Sequence, residues 1–236
     1  MDLSIAEEDI REITGLSGYR LFLHQKRKQI IIDLISRAFP FGSTVLDVGC
    51  ASGDISVELG ILGYKVHGID FEPIRLSNAK KLADKYGHGI LFENKSFEEL
   101  DKQKSYDIVL LGEVLEHFSD PEKILGDIKS LLNQEGKVVI TAPNMPGLRN
   151  RLQFGLLGIF PDNNPEHKYY FDFRRFSKVV SDAGYEICHF STHFTNILGE
   201  FKAVAILESI LLFWFTSLFP KSGDIILSVI HPKPTK

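Results

Sequence analysis

The sequence has few cysteines and no excess of basic residues. Its 236 residues contain two cysteines, Cys50 and Cys188, too few for a disulfide framework or a cysteine-rich metal centre, and we predict no metal site. The formal net charge of −4 argues against nucleic acid as a partner, because nucleic-acid-binding faces are basic. The N-terminus lacks the charged-then-apolar pattern of a secretory signal. We therefore expect a reducing compartment, the cytosol.

Long apolar runs are also scarce, and only residues 203–219 form one. This run is slightly shorter than the roughly 20 residues that a membrane helix needs, and it contains Glu208. We predict a helix buried in the fold or beneath a substrate pocket. A helix resting on a membrane surface is the main alternative, and a transmembrane span is a weaker one.

Short apolar runs alternate with amphipathic segments over most of the chain. Such alternation predicts βαβ units and therefore a doubly wound α/β fold with a mostly parallel sheet. In such sheets, ligands bind beyond the carboxyl ends of the strands. The predicted strands are 44–48, 65–69, 90–92, 106–111, 137–142, 185–190 and 224–230, and the predicted helices include 55–62, 73–86, 121–132 and 176–183.

The alternation lapses after Pro143, in a stretch that is too long for a simple connection. We predict one domain, 1–236. Its parts are an N-terminal helical segment (1–40), a cofactor-binding core (41–143), a substrate-side insertion (144–175), and closing helices and strands (176–236).

A glycine-containing loop, Asp47 to Gly53, lies between the first predicted strand and the next helix. Gly49 and Gly53 let the backbone turn sharply and approach a ligand closely. The N–H groups at the start of the helix suit a carboxylate, and Asp47 suits an ammonium group. An amino-acid moiety with both charges would fit this arrangement.

Further candidate ligand-binding residues lie at the ends of later strands. Asp70 ends the second predicted strand, where a carboxylate can accept hydrogen bonds from both ribose hydroxyls, and Phe71 beside it can pack on a purine. Ser96 and Phe97 follow the third strand and can flank the adenine. Glu113 follows the fourth strand and faces the reacting end of the ligand.

Together these elements resemble the class I S-adenosylmethionine-dependent methyltransferases of the methyltransferase type 11 group. The resemblance covers about Ser43 to Pro143 and includes the family's E-x-L-E-H sequence, here Glu113 to His117. Ala51 replaces the middle glycine of the family's D-x-G-x-G-x-G loop. The resemblance implies a seven-stranded sheet whose last strand is antiparallel, and S-adenosylmethionine as the cofactor. The stretch from Pro143 to Phe154 separately resembles the region after strand five in MetW-like bacterial methyltransferases and in relatives found with cell-surface sugar pathways.

Two histidines are candidate catalytic residues. His117 follows the fourth strand, and His167 lies in the insertion. A base is needed only if the methyl acceptor is protonated and poorly nucleophilic, so both histidines can instead be structural.

We predict methylation of a small molecule, with O-methylation of a sugar or glycan precursor favoured. The alternatives are a membrane-surface enzyme acting on a quinone precursor or lipid-linked substrate, with residues 203–219 as the peripheral contact, and an inactive binding protein of the same fold.

Overall fold

The computed structural model describes residues 5–86, 90–101, 103–145, 164–193 and 224–234. The predicted apolar helix at 203–219 and much of the predicted insertion lie outside these residues. Within the described ranges, no helix combines the length and the apolar character needed to cross a membrane.

The described residues contain the strands β1 (Thr44–Val48), β2 (Lys65–Asp70), β3 (Leu91–Asn94), β4 (Tyr106–Gly112), β5 (Leu132–Pro143), β6 (Tyr185–His193) and β7 (Ile225–Pro232). These seven strands form one sheet in the order β3-β2-β1-β4-β5-β7-β6. Strand β1 pairs in parallel with β2 and with β4, and β2 pairs in parallel with β3, whereas β6 and β7 are antiparallel. The predicted doubly wound, mostly parallel α/β fold is therefore confirmed.

Six α-helices are described, and two of them begin at aspartate caps. Asp120 accepts a hydrogen bond from the backbone N–H of Lys123, and Asp172 accepts one from that of Arg175. Such caps satisfy backbone donors that have no partner within the helix. The helices are α1 (Glu7–Thr14), α2 (Gly18–Ala38), α3 (Asp54–Ile61), α4 (Pro73–Tyr86), α5 (Pro121–Ile128) and α6 (Phe173–Asp182).

The predicted boundary between the fifth helix and strand β5 is wrong. Helix α5 ends at Ile128, a short 3-10 turn covers Lys129–Leu131, and β5 begins at Leu132 rather than at residue 137. Gly136, a residue type that is common in turns, lies inside the strand. A Cβ atom there would lie 2.8 Å from the carbonyl oxygen of Tyr106, so only glycine permits this close backbone approach.

The chain divides into two compact units. The first contains Met1–Gly112 and Ser130–Val138, and the second contains Glu113–Lys129 and Val139–Lys236. Fully buried aliphatic side chains from β1 and β4 form part of the core of the first unit, including Val45, Leu46 and Ile108. Buried side chains in the second unit include Leu115, Leu125 and Phe176.

Helix α2 in the first unit binds α3 through charged side chains. The Nε2 atom of His24 lies 2.8 Å from Oδ2 of Asp54, and the ammonium group of Lys28 pairs with the carboxylate of Glu58. Lys28, Asp54 and Glu58 are all buried. Because an unpaired charge is unfavourable in the interior, these contacts fix the position of α2 on the helix that follows the glycine-containing loop.

Candidate functional site

The loop between β1 and α3 has three residues in the left-handed backbone region. Gly49, Ala51 and Gly53 have φ angles of 68°, 48° and 77°. The loop is held from within by a hydrogen bond from the N–H of Gly53 to the carbonyl of Cys50 (2.9 Å). Cys50 in turn donates its N–H to the carbonyl of Ile69 at the end of β2 (3.0 Å). The predicted sharp turn between strand and helix is present.

Gly53 is required for packing as well as for its φ angle. A Cβ atom at this position would lie 2.6 Å from Cβ of Ala79 and 2.9 Å from Cζ of Phe92. Any larger residue would therefore separate the start of α3 from α4 and β3. Ala51, the departure from the family's loop, has a left-handed backbone that is unfavourable for a residue with a side chain by about 1–2 kcal/mol.

Asp47 is a buried carboxylate beneath the loop. The Oγ atom of Ser56 donates a hydrogen bond to its Oδ2 atom at 2.6 Å. Burial raises the pKa of Asp47 to about 7, the Ser56 hydrogen bond opposes this rise, and the charges of Asp54 and Asp70 add to it. Three carboxylates are thus close enough to repel one another, which creates a negative potential suited to a cationic ligand.

Asp70 ends β2, as predicted, and its carboxylate supports the loop. Its Oδ2 atom accepts a hydrogen bond from the N–H of Ala51 (2.9 Å), and its Oδ1 atom accepts one from the N–H of Glu72 (2.8 Å). An ionised carboxylate has about four acceptor sites, so acceptor sites remain for ligand hydroxyls. Phe71 is 77% exposed, which leaves its ring available to a flat ligand group.

Ser96 and Phe97 follow β3 in a short 3-10 turn, Phe97–Glu99. The N–H of Ser96 donates to Oε2 of Glu99 at 2.8 Å, which fixes the start of this turn. The side chain of Phe97 is buried and that of Ser96 is half-buried. Their contact with an adenine therefore stays a prediction.

Glu113 in the second unit has a backbone that is unusual for a residue with a side chain. Its φ angle is 58°, and its N–H lies 3.1 Å from both the carbonyl oxygen and Oγ1 of Thr141. Left-handed non-glycine residues concentrate at functional sites, where surrounding hydrogen bonds maintain the strained conformation. The geometry agrees with a functional position for Glu113 and leaves its ligand unassigned.

The two predicted catalytic histidines lie together in the second unit. The ring centroids of His117 and His167 are 4.8 Å apart at an interplanar angle of 78°. The Nδ1 atom of His117 lies 3.2 Å from the carbonyl oxygen of Glu166. Glu116, which is 1% exposed, joins this cluster: its Oε1 atom lies 4.0 Å from Nε2 of His167.

Glu116 is the site residue that sequence reasoning missed. It lies inside the E-x-L-E-H sequence, but a glutamate beside a histidine predicts no particular role by itself. The structure brings Asp47, Gly49, Ala51, Gly53 and Asp70 together in the first unit. It brings Glu116, His117 and His167 together in the second, a set in which three ligand atoms lie within 4.8 Å of one another.

Comparison with known proteins gives consistent results. The sequence profile of the family described as "Methyltransferase domain" matches residues 22–189. The ubiquinone biosynthesis O-methyltransferase of Rickettsia prowazekii (strain Madrid E) is 27% identical over 149 residues, 61% of this chain and 58% of that protein. The protein of the same name from Rhodopseudomonas palustris (strain TIE-1) is 35% identical over 115 residues, 49% of this chain and 44% of that protein. The chain thus spans about half the length of these relatives.

The fold also has a counterpart among solved structures. Magnesium protoporphyrin IX methyltransferase from Synechocystis PCC 6803, with bound SAH, superposes with a TM-score of 0.66 at 17% sequence identity. The match covers 96% of this chain and 94% of that chain. At this level of identity the similarity establishes the fold.

Proposed function

Because the chain belongs to the methyltransferase-domain family, we propose that it transfers a methyl group from S-adenosylmethionine to a hydroxyl oxygen of a small molecule. The observation that carries this proposal is the loop from Asp47 to Gly53, with the carboxylates of Asp47 and Asp70 beneath and beside it.

The residues of the first unit fit the chemical groups of this cofactor. The buried carboxylate of Asp47 suits the ammonium group, and the N–H groups at the start of α3 suit the carboxylate. Asp70 accepts hydrogen bonds from the ribose hydroxyls, while Phe71 and the turn at Ser96 and Phe97 flank the adenine. The negative potential around Asp47 also suits the sulfonium group of the cofactor.

S-adenosylmethionine supplies an electrophilic methyl group on a positively charged sulfur. For an oxygen acceptor, a hydroxyl proton must leave as the new C–O bond forms and the C–S bond breaks. His117 and His167 are the candidate catalytic residues, because an imidazole can hold such a proton near neutral pH. In this proposal Glu113 contributes to the reacting end of the cofactor site.

A quinone precursor is the acceptor class that similarity to named proteins supports. The two relatives described above are named for ubiquinone biosynthesis and for O-methylation. Methylation of a sugar or glycan precursor has no comparable support and stays a prediction from sequence. Action at a membrane surface is also a prediction, because residues 203–219 lie outside the described part of the chain.

Cofactor binding is tested by calorimetry with S-adenosylmethionine on wild type and on Asp70→Asn. We expect wild type to bind and the variant to lose at least about tenfold in affinity, since the loss of one charged hydrogen bond is typically about 1.5–3 kcal/mol. Asp101→Asn is the matched control, because Asp101 Oδ1 likewise accepts the N–H of the residue two positions later. Failure of wild type to bind would refute the cofactor assignment.

Acceptor class is tested by transfer of a labelled methyl group from S-adenosylmethionine to a panel of small hydroxyl compounds. The panel contains polyprenylated catechols, simple catechols and free sugars. We expect label in the catechols, and label only in the sugars would refute the quinone-precursor assignment. Absence of transfer to every compound, with cofactor binding intact, would favour the inactive binding protein.

A further inference from the structure

Two chain segments that are about fifty residues apart are joined at the cluster of Glu116, His117 and His167. The carbonyl oxygen of Glu116 accepts hydrogen bonds from the N–H groups of Lys168 (2.9 Å) and Tyr169 (3.0 Å). These two bonds hold the 3-10 turn Leu115–His117 against the segment that precedes α6. The backbone therefore places the three side chains next to one another before any ligand binds.

The cluster combines two imidazoles and one carboxylate whose potential ligand atoms lie close together. One potential ligand atom from each residue lies within 4.8 Å of the other two. Two ligands of one zinc ion, each about 2.0–2.2 Å from the metal, are at most about 4.4 Å apart. Small side-chain rotations therefore suffice to bring all three atoms into one coordination sphere.

The surroundings of His117 favour metal binding through one particular nitrogen. Its Nδ1 atom lies 3.2 Å from the backbone carbonyl oxygen of Glu166, and a carbonyl oxygen can only accept a hydrogen bond. Nδ1 therefore carries the proton in the neutral ring, and Nε2 keeps its lone pair. A backbone carbonyl that fixes the tautomer in this way is a regular partner of metal-binding histidines.

The burial of the cluster also favours a metal ion. Glu116 is 1% exposed, and the side chain of His167 is 14% exposed. A buried carboxylate is stabilised by nearby positive charge, and a divalent ion supplies such charge. Two histidines and one glutamate leave at least one coordination position open, as in the catalytic zinc sites that use this set of ligands.

We propose that Glu116, His117 and His167 bind one divalent transition-metal ion, with an open position for the acceptor hydroxyl. The role of the ion in transfer rests on the proposed function, whereas its binding does not. A metal ion lowers the pKa of bound water to about 7, and it acts in the same direction on a bound hydroxyl. With both histidine lone pairs bound to the metal, the hydroxyl proton passes to water, and this replaces the proton-holding role of the histidines described above. The oxygen forms its bond to the methyl carbon as the C–S bond breaks, which leaves a neutral thioether.

Metal binding is tested first, on full-length protein stripped with a chelator, by titration calorimetry with Zn²⁺ and by electron paramagnetic resonance with Mn²⁺. We expect one ion per chain. Glu116→Gln and His167→Gln should each weaken binding by more than about 100-fold, beyond the effect of changing a residue that only supports a ligand. His189→Gln changes an exposed histidine of the same unit and should bind as wild type does.

Two further measurements separate the possible failures. Circular dichroism and S-adenosylmethionine affinity of the variants show whether they are folded, and both should match wild type. Absence of Zn²⁺ and Mn²⁺ binding to wild type, or unchanged binding by both folded variants, would overturn the metal site. Stoichiometric metal binding without methyl transfer to any acceptor would support the site and count against the proposed function. Transfer that is unaffected by chelation would overturn the proposed catalytic role.

Discussion

The hydroxyl of Ser56 donates a hydrogen bond to the carboxylate of Asp47, with 2.6 Å between Oγ and Oδ2, in the interior of the first unit. This bond favours the ionised form of Asp47, yet the pKa of Asp47 is raised to about 7, first by burial and then by the charges of Asp54 and Asp70. Near neutral pH, Asp47 is therefore poised between its protonated and ionised forms.

The affinity for S-adenosylmethionine should rise with pH between 6 and 8. A cationic ligand prefers ionised Asp47, and the ionised fraction of a group with a pKa near 7 increases about tenfold over this range. Calorimetry at constant ionic strength measures the dissociation constant, which we expect to fall by up to about tenfold. Asp47→Asn should bind weakly and without this pH dependence. A flat profile in wild type would contradict the assignment of Asp47.

Asp47→Asn should stabilise the ligand-free protein at pH 8. The pKa of Asp47 is about 7 in the folded chain against 3.8 as the ordinary value, so the folded state binds more protons between these values. Stability from this group is therefore lost as pH rises from about 4 to about 7. Each pKa unit corresponds to 1.36 kcal/mol. The unfolding free energy of the variant, relative to that of wild type, should therefore be about 2–4 kcal/mol higher at pH 8 than at pH 4. Chemical denaturation at both pH values measures the difference, and Asp101→Asn should show no such gain.

Ala51→Gly should stabilise the loop. Ala51 has a φ angle of 48°, where a side chain is unfavourable by about 1–2 kcal/mol, and glycine removes this strain. The greater freedom of glycine in the unfolded chain offsets about 0.5–1 kcal/mol. The net gain in unfolding free energy should be about 0.5–1 kcal/mol, with cofactor affinity at least as high as in wild type. A loss of stability would show that the alanine methyl group makes favourable contacts.

Gly53→Ala should be much more harmful than Gly63→Ala. Both glycines have left-handed φ angles, 77° and 94°, so both substitutions introduce backbone strain. At Gly63 no atom lies within 4 Å of the added Cβ, whereas at Gly53 the added atom overlaps Ala79 and Phe92. Overpacking adds about 1–3 kcal/mol, so unfolding free energies should differ by that amount. Equal losses in the two variants would show that packing around Gly53 is readily adjusted.

Lys28→Met should destabilise the first unit strongly. Lys28 pairs with buried Glu58. Burial raises the pKa of Asp54, but the hydrogen bond and charge of His24, together with the charge of Lys28, hold that pKa below its usual range. Removal of one partner of a buried pair costs about 3–5 kcal/mol. The loss should be smaller in acid. The lowered pKa of Asp54 stabilises the folded state above the ordinary pKa of an aspartate, and this stabilisation disappears as the pH falls through the lowered value.

The exposed pair of Glu7 and Arg11 is the control for this prediction. It joins neighbouring turns of α1, where each side chain is more than half exposed. Arg11→Ala should change the unfolding free energy by less than about 0.5 kcal/mol, because water and salt screen such pairs. Similar effects of Lys28→Met and Arg11→Ala in urea denaturation would contradict the importance of burial.

The strands around the glycine-containing loop could be predicted because each one is marked by a local run of apolar residues. Apolar runs that end at Asp70 and before Glu113 place both residues at the carboxyl ends of strands, and the structure has them there. The boundary at β5 could not be predicted, because Gly136 and its neighbours have the composition of a turn. Their extended conformation depends on the close approach of the Tyr106 carbonyl, which is distant in sequence.

The raised pKa of Asp47 was equally inaccessible, since it depends on burial and on two other carboxylates that come close only in the folded chain. Sequence patterns do predict that Asp47 precedes a glycine-containing turn. They do not predict the surrounding dielectric or the distances between charges, which together set the proton affinity.

The sequence by itself determined the order of the strands along the chain, the sharp turn at Gly49 and Gly53, and the placement of Asp70 and Glu113 at strand ends. These features follow from local periodicity and from the conformational freedom of glycine. Only the tertiary structure brought Glu116 and His117 to His167, because two backbone hydrogen bonds from Lys168 and Tyr169 join segments about fifty residues apart. Local patterns contain no information on such contacts, since their distances are set by packing of the whole chain.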